Sequence, residues 1–268
     1  MRERATGNVL GIPIAAVDYD TAVARIIGAA RERRPMTVSA LAVHGVMTGV
    51  LDAEHRYRLS QFDLLTPDGQ PVRWALRWLH GITLPDRVYG PELMRRLCRR
   101  AAEEGLPIFL FGGSDAQLAA LAASLVRQFP ALRIAGTRAS QFRTVSEAEQ
   151  GAAAQAIADS GAALTFVGLG CPRQEVWAFE HRARLGMPVV AVGAAFSLLA
   201  GLRPEAPGRL QSAGLEWLYR LAQEPRRLWQ RYLLLNPAYL LLVGLQMTGL
   251  LALWQTDARP PESDVRYG

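Results

Sequence analysis

Residues 164–180 read LTFVGLGCPRQEVWAFE. Residues 164–169 are apolar, partly β-branched and of strand length, which predicts a buried strand. Gly168, Gly170 and Pro172 then break regular structure. Arg173, Gln174 and Glu175 open a run with Val176, Trp177 and Phe179 that predicts a helix. A strand, a tight glycine turn and a helix N-terminus bring backbone N–H groups to one place, where they can meet a phosphate. The Arg173 guanidinium could fork onto phosphate oxygens there. An ordinary βα turn has the same pattern, because a Gly-x-Gly turn without a fuller fingerprint is weak. Both readings stand at this point.

The same alternation of apolar runs and helical stretches recurs along the chain. Residues 9–17 read as a short strand and turn, and Asp18 or Thr21 can cap a helix with Val23, Ile26 and Ile27 on its apolar side. Residues 36–50 begin as a buried strand and turn near His44 and Gly45. His44 is either structural, the usual fate of a lone histidine, or a ligand contact at a strand end. Residues 52–60 are polar and helical. Residues 62–65 are short and apolar, and Pro67-Asp68-Gly69 is a turn. Pro71 suits the first turn of the next helix, whose apolar face reads as Trp74, Ala75, Trp78 and Leu79. Asp68 thus sits at the carboxyl end of a strand, where α/β folds place chemistry. The commoner fate of Asp-Gly is a turn aspartate bonded to its own backbone.

Further on, residues 91–105 form a helix framed by Pro and Gly, and residues 107–113 (PIFLFGG) a buried strand running into Gly112 and Gly113. Ser114 or Asp115 caps the following helix, which runs to Phe129. Residues 132–137 and 187–195 read as strands and 147–160 as a helix. Strands alternating with helices predict a Rossmann-like α/β fold, a mostly parallel sheet covered on both faces.

Composition narrows the partners. The 268 residues are half hydrophobic and carry a net charge of +6; every one of the 30 basic residues is arginine. A basic surface suits a polyanion, but no Arg-rich block with interleaved aromatics resembles a nucleic-acid module. Cys98 and Cys171 lack metal spacing and imply a reducing compartment without a disulfide framework. The first residues do not read as a signal peptide.

After Gly201 the texture changes. Residues 203–231 hold six Arg against three Glu, with Leu215, Leu218, Tyr219, Leu228, Trp229 and Tyr232 at helical spacing. These read as short helices, broken at Pro225 and Pro237. They suit either an anionic membrane surface or a packed interface. Residues 232–256 carry no charge. Residues 238–254 number 17, at the short limit of the about 20 that cross a bilayer, which favours a helix lying on or dipping into the membrane. The expected organisation is an α/β core over 1–202, a membrane-associating helical appendage over 203–256 and a disordered tail over 257–268.

The motifs TPDGQPV, LPDRVYGPELM, FLFGG, VGLGCPRQE, VGAAFSLLAG and GLEWLYRLAQEPRRLWQRYL, in that order, resemble the WecG/TagA/CpsF family of bacterial glycosyltransferases, which includes N-acetylmannosaminyltransferases. The resemblance implies transfer from a UDP-sugar to an undecaprenyl-diphosphate-linked sugar, with inversion and with no bound metal or other cofactor. It implies that Asp68 is the catalytic base and that Arg87 steadies the diphosphate leaving group. Gln174 falls on a glutamine expected at the nucleotide, ahead of Arg173. Gly112, Gly113, Gly168 and Gly170 fall on the nucleotide-sugar turns. Ser39 and His44 stand where the family has Asn in the donor pocket, and Ser197 where it often has Asp. Arg220, Arg227 and Arg231 match basic appendage positions suited to the lipid diphosphate or to closing the site. The implied setting is the cytoplasmic face of the plasma membrane.

Three readings follow. The first is a membrane-associated glycosyltransferase of surface-polysaccharide assembly. The second, prompted by Ser39, His44 and Ser197, is a catalytically weak homologue acting as a membrane scaffold. The third is a soluble Rossmann-like enzyme such as a nucleotide-sugar epimerase, which gives no reason for the Arg/aromatic helices. Donor sugar, acceptor sugar and oligomeric state stay open, a homo-oligomer included.

Overall fold

The computed structural model of the chain describes residues 6–141, 143–212, 214–250, 258–262 and 267, and the side chains of Ser212 and Arg231 lie outside that description. The chain opens with an antiparallel hairpin, β1 (Thr6–Val9) and β2 (Ile12–Ala15). Leu10 and Gly11 turn it with φ of 54° and 86°, the left-handed pair that matches strand twist in a two-residue turn. Helix α1 (Tyr19–Arg31) follows, then β3 (Met36–Leu41), α2 (Val43–Leu51), α3 (Ala53–Ser60), β4 (Leu64–Pro67) and α4 (Gln70–His80). The second half of the core is α5 (Gly90–Glu103), β5 (Ile108–Phe111), α6 (Asp115–Gln128), β6 (Ile134–Arg138), α7 (Glu147–Asp159), β7 (Leu164–Val167), α8 (Arg173–His181), β8 (Pro188–Ala191) and α9 (Ala195–Leu199). The C-terminal region holds α10 (Gly208–Ser212), α11 (Glu216–Gln223), α12 (Pro225–Trp229), a π-helical turn (Gln230–Leu234) and α13 (Leu235–Met247).

Strands β3 to β8 form one six-stranded, wholly parallel sheet in the order β4-β3-β8-β7-β5-β6. Every residue of β4, β5, β7 and β8 is buried, as continuous apolar runs in a doubly covered sheet require. Two apolar clusters flank the sheet. One gathers α1, α5, α6 and α9 around Ile26, Leu97, Leu121 and Phe196. The other gathers the hairpin, α2, α4, α8 and α13 around Ile14, Leu76, Trp177 and Tyr239. The Rossmann-like α/β fold expected from the alternation is therefore the fold observed.

Short polar residues set the helix starts. Asp18 accepts from Thr21 N (2.8 Å) and Ser114 from Gln117 N (3.2 Å), and Ser146 and Glu149 form a reciprocal capping box. Asp52 caps α3 by accepting from the amides of Glu54 and His55.

Three local expectations change. The chain turns at Ala42, so His44 and Gly45 already belong to α2. Trp74 and Trp78 lie on the exposed side of α4, while Val72, Ala75 and Leu76 face inward. Their size drew the apolar face towards them, but positions 74 and 78 share a row turned away from 72, 75 and 76. Pro237 does not break the last helix. It sits in the first turn of α13, directly after the π-helical turn, where a missing N–H is tolerated.

Helix α13 is anchored on the core. Tyr239 and Val243 are buried, the Tyr239 hydroxyl donates to Pro71 O (3.3 Å), and the Gln246 amide bonds both Leu10 N and Asn8 O of the hairpin. No helix among the described residues is long and apolar enough to cross a membrane. Residues 251–256 of the uncharged run lie outside the described residues, as do 257, 263–266 and 268 of the tail. Tyr267 forms an isolated antiparallel bridge with Thr144.

Candidate active site

The carboxyl ends of the parallel strands open into a cavity of about 400 Å³. Loops after β3, β4, β5, β7 and β8 form its floor, and α11 and α12 of the C-terminal region form its far wall. This is where ligands meet an open α/β sheet. Its lining includes His44, Asp68, Arg87, Gly113, Gly168, Gly170, Gln174, Arg220 and Arg227. Residues from six separate stretches of the sequence thus meet at one place.

Asp68 follows β4 directly. Its amide donates to Leu41 O and Thr66 O, which fixes the backbone, and Gly69 then takes a φ of 105° to launch α4. The Asp68 carboxylate accepts from Gly90 N at 3.3 Å. Burial pushes its pKa up to about 6, against the pull of the Arg87 guanidinium. A carboxylate with that pKa is ionised at neutral pH yet basic enough to take a proton.

Arg87, on the loop before α5, pairs with Glu216 of α11. Arg220, one helical turn on, pairs with the same carboxylate at 3.0 Å and donates to the Tyr89 hydroxyl at 2.9 Å. Burial works against both arginine charges, but Asp68, Glu216 and Tyr89 around them keep them protonated. Two guanidinium groups therefore face one cavity together with the Asp68 carboxylate.

The opposite wall is the stretch 164–180. Gly168 and Gly170 bring backbone to the cavity, and Gly170 takes a φ of 80°. Gln174 is buried; its Nε2 donates to Glu175 Oε1 at 2.8 Å, while its Oε1 has no protein donor among the described residues. A buried acceptor on a cavity wall is available to a ligand N–H or O–H. Ser197 accepts from Gln117 Nε2 at 3.0 Å, and both line the cavity.

Three expected contacts do not line it. Ser39 lies beneath, fully buried, with its hydroxyl donating to Glu175 Oε1 at 2.8 Å. Gly112 serves the backbone: a Cβ there would stand 2.7 Å from the carbonyl carbon of Gly168. Arg173 is exposed and lies over the Tyr267 ring, 5.4 Å from its centroid. The Arg231 side chain falls outside the described residues.

Glu216 and Tyr89 line the cavity beside Arg87 and Arg220 and are not among the residues the sequence points to. Glu216 was legible as the i,i+4 partner of Arg220, but the excess of arginine in 203–231 pointed outward, to a charged surface. The structure turns Arg220 into the cavity, and Glu224 holds Arg203 and Arg227 by ion pairs. For metal ligation, one trio stands out among the described residues: His55, Cys171 and Glu175. Burial pushes the His55 imidazole below its ordinary pKa, against the pull of Glu175.

A carboxylate of raised pKa, paired guanidinium groups and a glycine-lined wall suit transfer of a group from a phosphorylated donor. The family model for the glycosyl transferase WecG/TagA/CpsF family matches residues 7–251, and the chain belongs to that family of glycosyltransferases.

Proposed function

We propose that the protein is an inverting glycosyltransferase. It moves a hexosyl or N-acetylhexosaminyl group from a UDP-sugar to an undecaprenyl-diphosphate-linked saccharide during bacterial surface or exopolysaccharide synthesis. The observation that carries the reading is Asp68, with its pKa near 6, sharing a cavity with Arg87 and Arg220.

The uridine diphosphate end lies along Gly168, Gly170 and Gln174, with His44 and Gly113 at the sugar. The acceptor hydroxyl approaches Asp68. Its oxygen forms a bond to the anomeric carbon as the bond from that carbon to the diphosphate breaks, and Asp68 takes the hydroxyl proton. Attack from the face opposite the leaving group inverts the anomeric centre. Arg87 and Arg220 stabilise the charge gathering on the departing diphosphate, which a preorganised cation pair does without reorganisation. Arg227, on α12 at the cavity wall, meets the acceptor's lipid-linked diphosphate.

Membrane association at the cytoplasmic face is part of the proposal. Leu240, Leu241 and Met247 of α13 are exposed at 44, 65 and 55%, and Trp74 and Trp78 are exposed on α4. Such apolar surface beside arginines suits a helix lying on an anionic membrane.

The test is a panel of UDP-sugars offered with polyprenyl-diphosphate-linked mono- and disaccharide acceptors, with products read by mass. The expected result is transfer with one donor and its loss in Asp68→Asn. Near-normal turnover by Asp68→Ala removes the base assignment. No transfer with any donor favours the scaffold reading instead.

A further inference from the structure

Beneath the glycine-lined wall, three side chains from separate elements converge. His55 comes from α3, Cys171 from the β7–α8 loop and Glu175 from α8. Their ligand atoms all lie within 4.8 Å of one another. His55 and Glu175 are each 1% exposed.

The hydrogen bonding at this point is incomplete. Among the described residues, both ring nitrogens of His55 are buried without a hydrogen-bond partner, and so is Glu175 Oε2. The other oxygen, Glu175 Oε1, is fully engaged by Ser39 Oγ and Gln174 Nε2, each at 2.8 Å. Buried imidazoles and carboxylates are ordinarily satisfied, so these orphaned atoms within one cluster call for an occupant. A direct hydrogen bond between them would remove the deficit, and the structure does not make one. The nearby Arg58 is ion-paired with Glu54 and Glu180, at 3.6 and 3.5 Å, which takes up its charge.

We propose that His55, Cys171 and Glu175 bind one divalent transition-metal ion of the zinc class. The mixed nitrogen, sulfur and oxygen donors suit zinc, and a thiolate donor excludes magnesium and calcium as the preferred guests. Ligand atoms around tetrahedral zinc stand about 3.3–3.8 Å apart. Binding therefore requires the three side chains to draw closer than their present 4.8 Å spread. On binding, the Cys171 thiol gives its proton to solvent and the thiolate joins the ion. Cys171 and Glu175 also line the cavity, which supplies an entry path and room for a water as fourth ligand.

The ion is structural in this reading. It ties α3 to the loop of Gly168 and Gly170 and to the start of α8, and so holds Gln174 in place. Asp68, at the end of β4, is not among its ligands, so the ion supplies no step of transfer.

The experiment uses the full chain without an affinity tag, reduced and stripped with a chelator, and then titrated with cobalt(II). One equivalent should give a near-ultraviolet thiolate-to-cobalt charge-transfer band with visible bands of four-coordinate intensity. One equivalent of zinc should bleach them. Cys171→Ser should abolish the charge-transfer band, and Cys98→Ala, whose thiol is buried in the other cluster, should leave it unchanged. His55→Ala should weaken zinc binding by more than the roughly 10–100-fold that losing an outer-shell partner costs. Absence of the band with Cys171 reduced, or a band that survives Cys171→Ser, overturns the proposal and leaves a buried water as the occupant. Cys171 is only half-buried, so its variant decides between ion and water even if removing His55 disturbs folding.

Discussion

The guanidinium of Arg87 and the carboxylate of Glu216 are paired across 129 residues of chain, each side chain only 10% exposed. The pair fastens the C-terminal helices to the loop between α4 and α5. It also sets two cations, Arg87 and Arg220, around one carboxylate at the mouth of the candidate site. Removing that carboxylate leaves two half-desolvated guanidinium groups without their shared partner. Glu216→Ala should therefore lower the unfolding free energy by about 3 kcal/mol, the usual cost of breaking a buried pair from one side. Urea denaturation followed by circular dichroism measures it. A change within about 0.5 kcal/mol, as for an ordinary surface position, would show that the pair does not fasten the helices.

The sheet was legible because its signals are local. Apolar runs such as 107–113 and 164–169, set between helices, predict buried strands, and Ser114 marks a helix start by its own hydrogen bond. The site was legible where a residue's position follows from its strand end, as for Asp68, Gly168 and Gly170. It was illegible where a side chain's direction is set by distant packing. Arg173 and Gln174 are adjacent in sequence, yet only Gln174 lines the cavity. Trp74 and Trp78 look like core by size and face outward. Glu216 reads as one acid among many arginines until α11 folds against Tyr89 and Arg87.

The pKa of Asp68 gives two linked expectations. Its protonated form cannot take a proton from an acceptor hydroxyl, so kcat/KM for transfer should rise tenfold per pH unit below about 6 and level off above it. The sign for stability is opposite. Folding raises this carboxyl from 3.8 to about 6, so the native state holds its proton more tightly than the unfolded chain. Stability from this group is complete below pH 3.8 and is lost as pH rises through 6. Because the carboxylate faces an open cavity, the loss is set at about 1–3 kcal/mol. Asp68→Asn escapes it. The variant should match the parent near pH 4 and be more stable at pH 8, while turnover falls by about 10²–10⁴. Equal melting temperatures at pH 8 would remove the burial argument.

Gly112 and Gly170 separate two reasons for glycine. Both have positive φ, 117° and 80°, but only Gly112 has backbone in the way: an added methyl group would stand 2.7 and 2.9 Å from the Gly168 carbonyl carbon and oxygen. Gly170 has open space. Gly170→Ala should cost about 1–2 kcal/mol, the conformational penalty alone. Gly112→Ala should cost more, about 3 kcal/mol or above, because β5 and the β7 loop must move apart. Thermal denaturation of the two variants ranks them. The reverse order would mean that the two loops separate easily.

Helix α13 has two unlike faces. One side is committed to the core through Tyr239, Val243 and Gln246. Leu241 on the opposite side, and Leu240 and Met247 on the flank, are exposed. A core-facing role for both sides is geometrically impossible, so the outer leucines need another partner or none. If the partner is a bilayer, each of Leu240 and Leu241 should contribute about 1 kcal/mol on entering it, less than full burial because each is already partly covered. The double variant Leu240→Ser with Leu241→Ser should then weaken binding to anionic vesicles by about 30-fold, for about 2 kcal/mol lost. Raising the salt should weaken the parent further by screening its arginines from the lipid headgroups. The variant should keep its melting temperature, since neither leucine is in the core. Unchanged sedimentation with vesicles would remove α13 from the membrane contact and leave the exposed Trp74 and Trp78 on α4 as the surface to test.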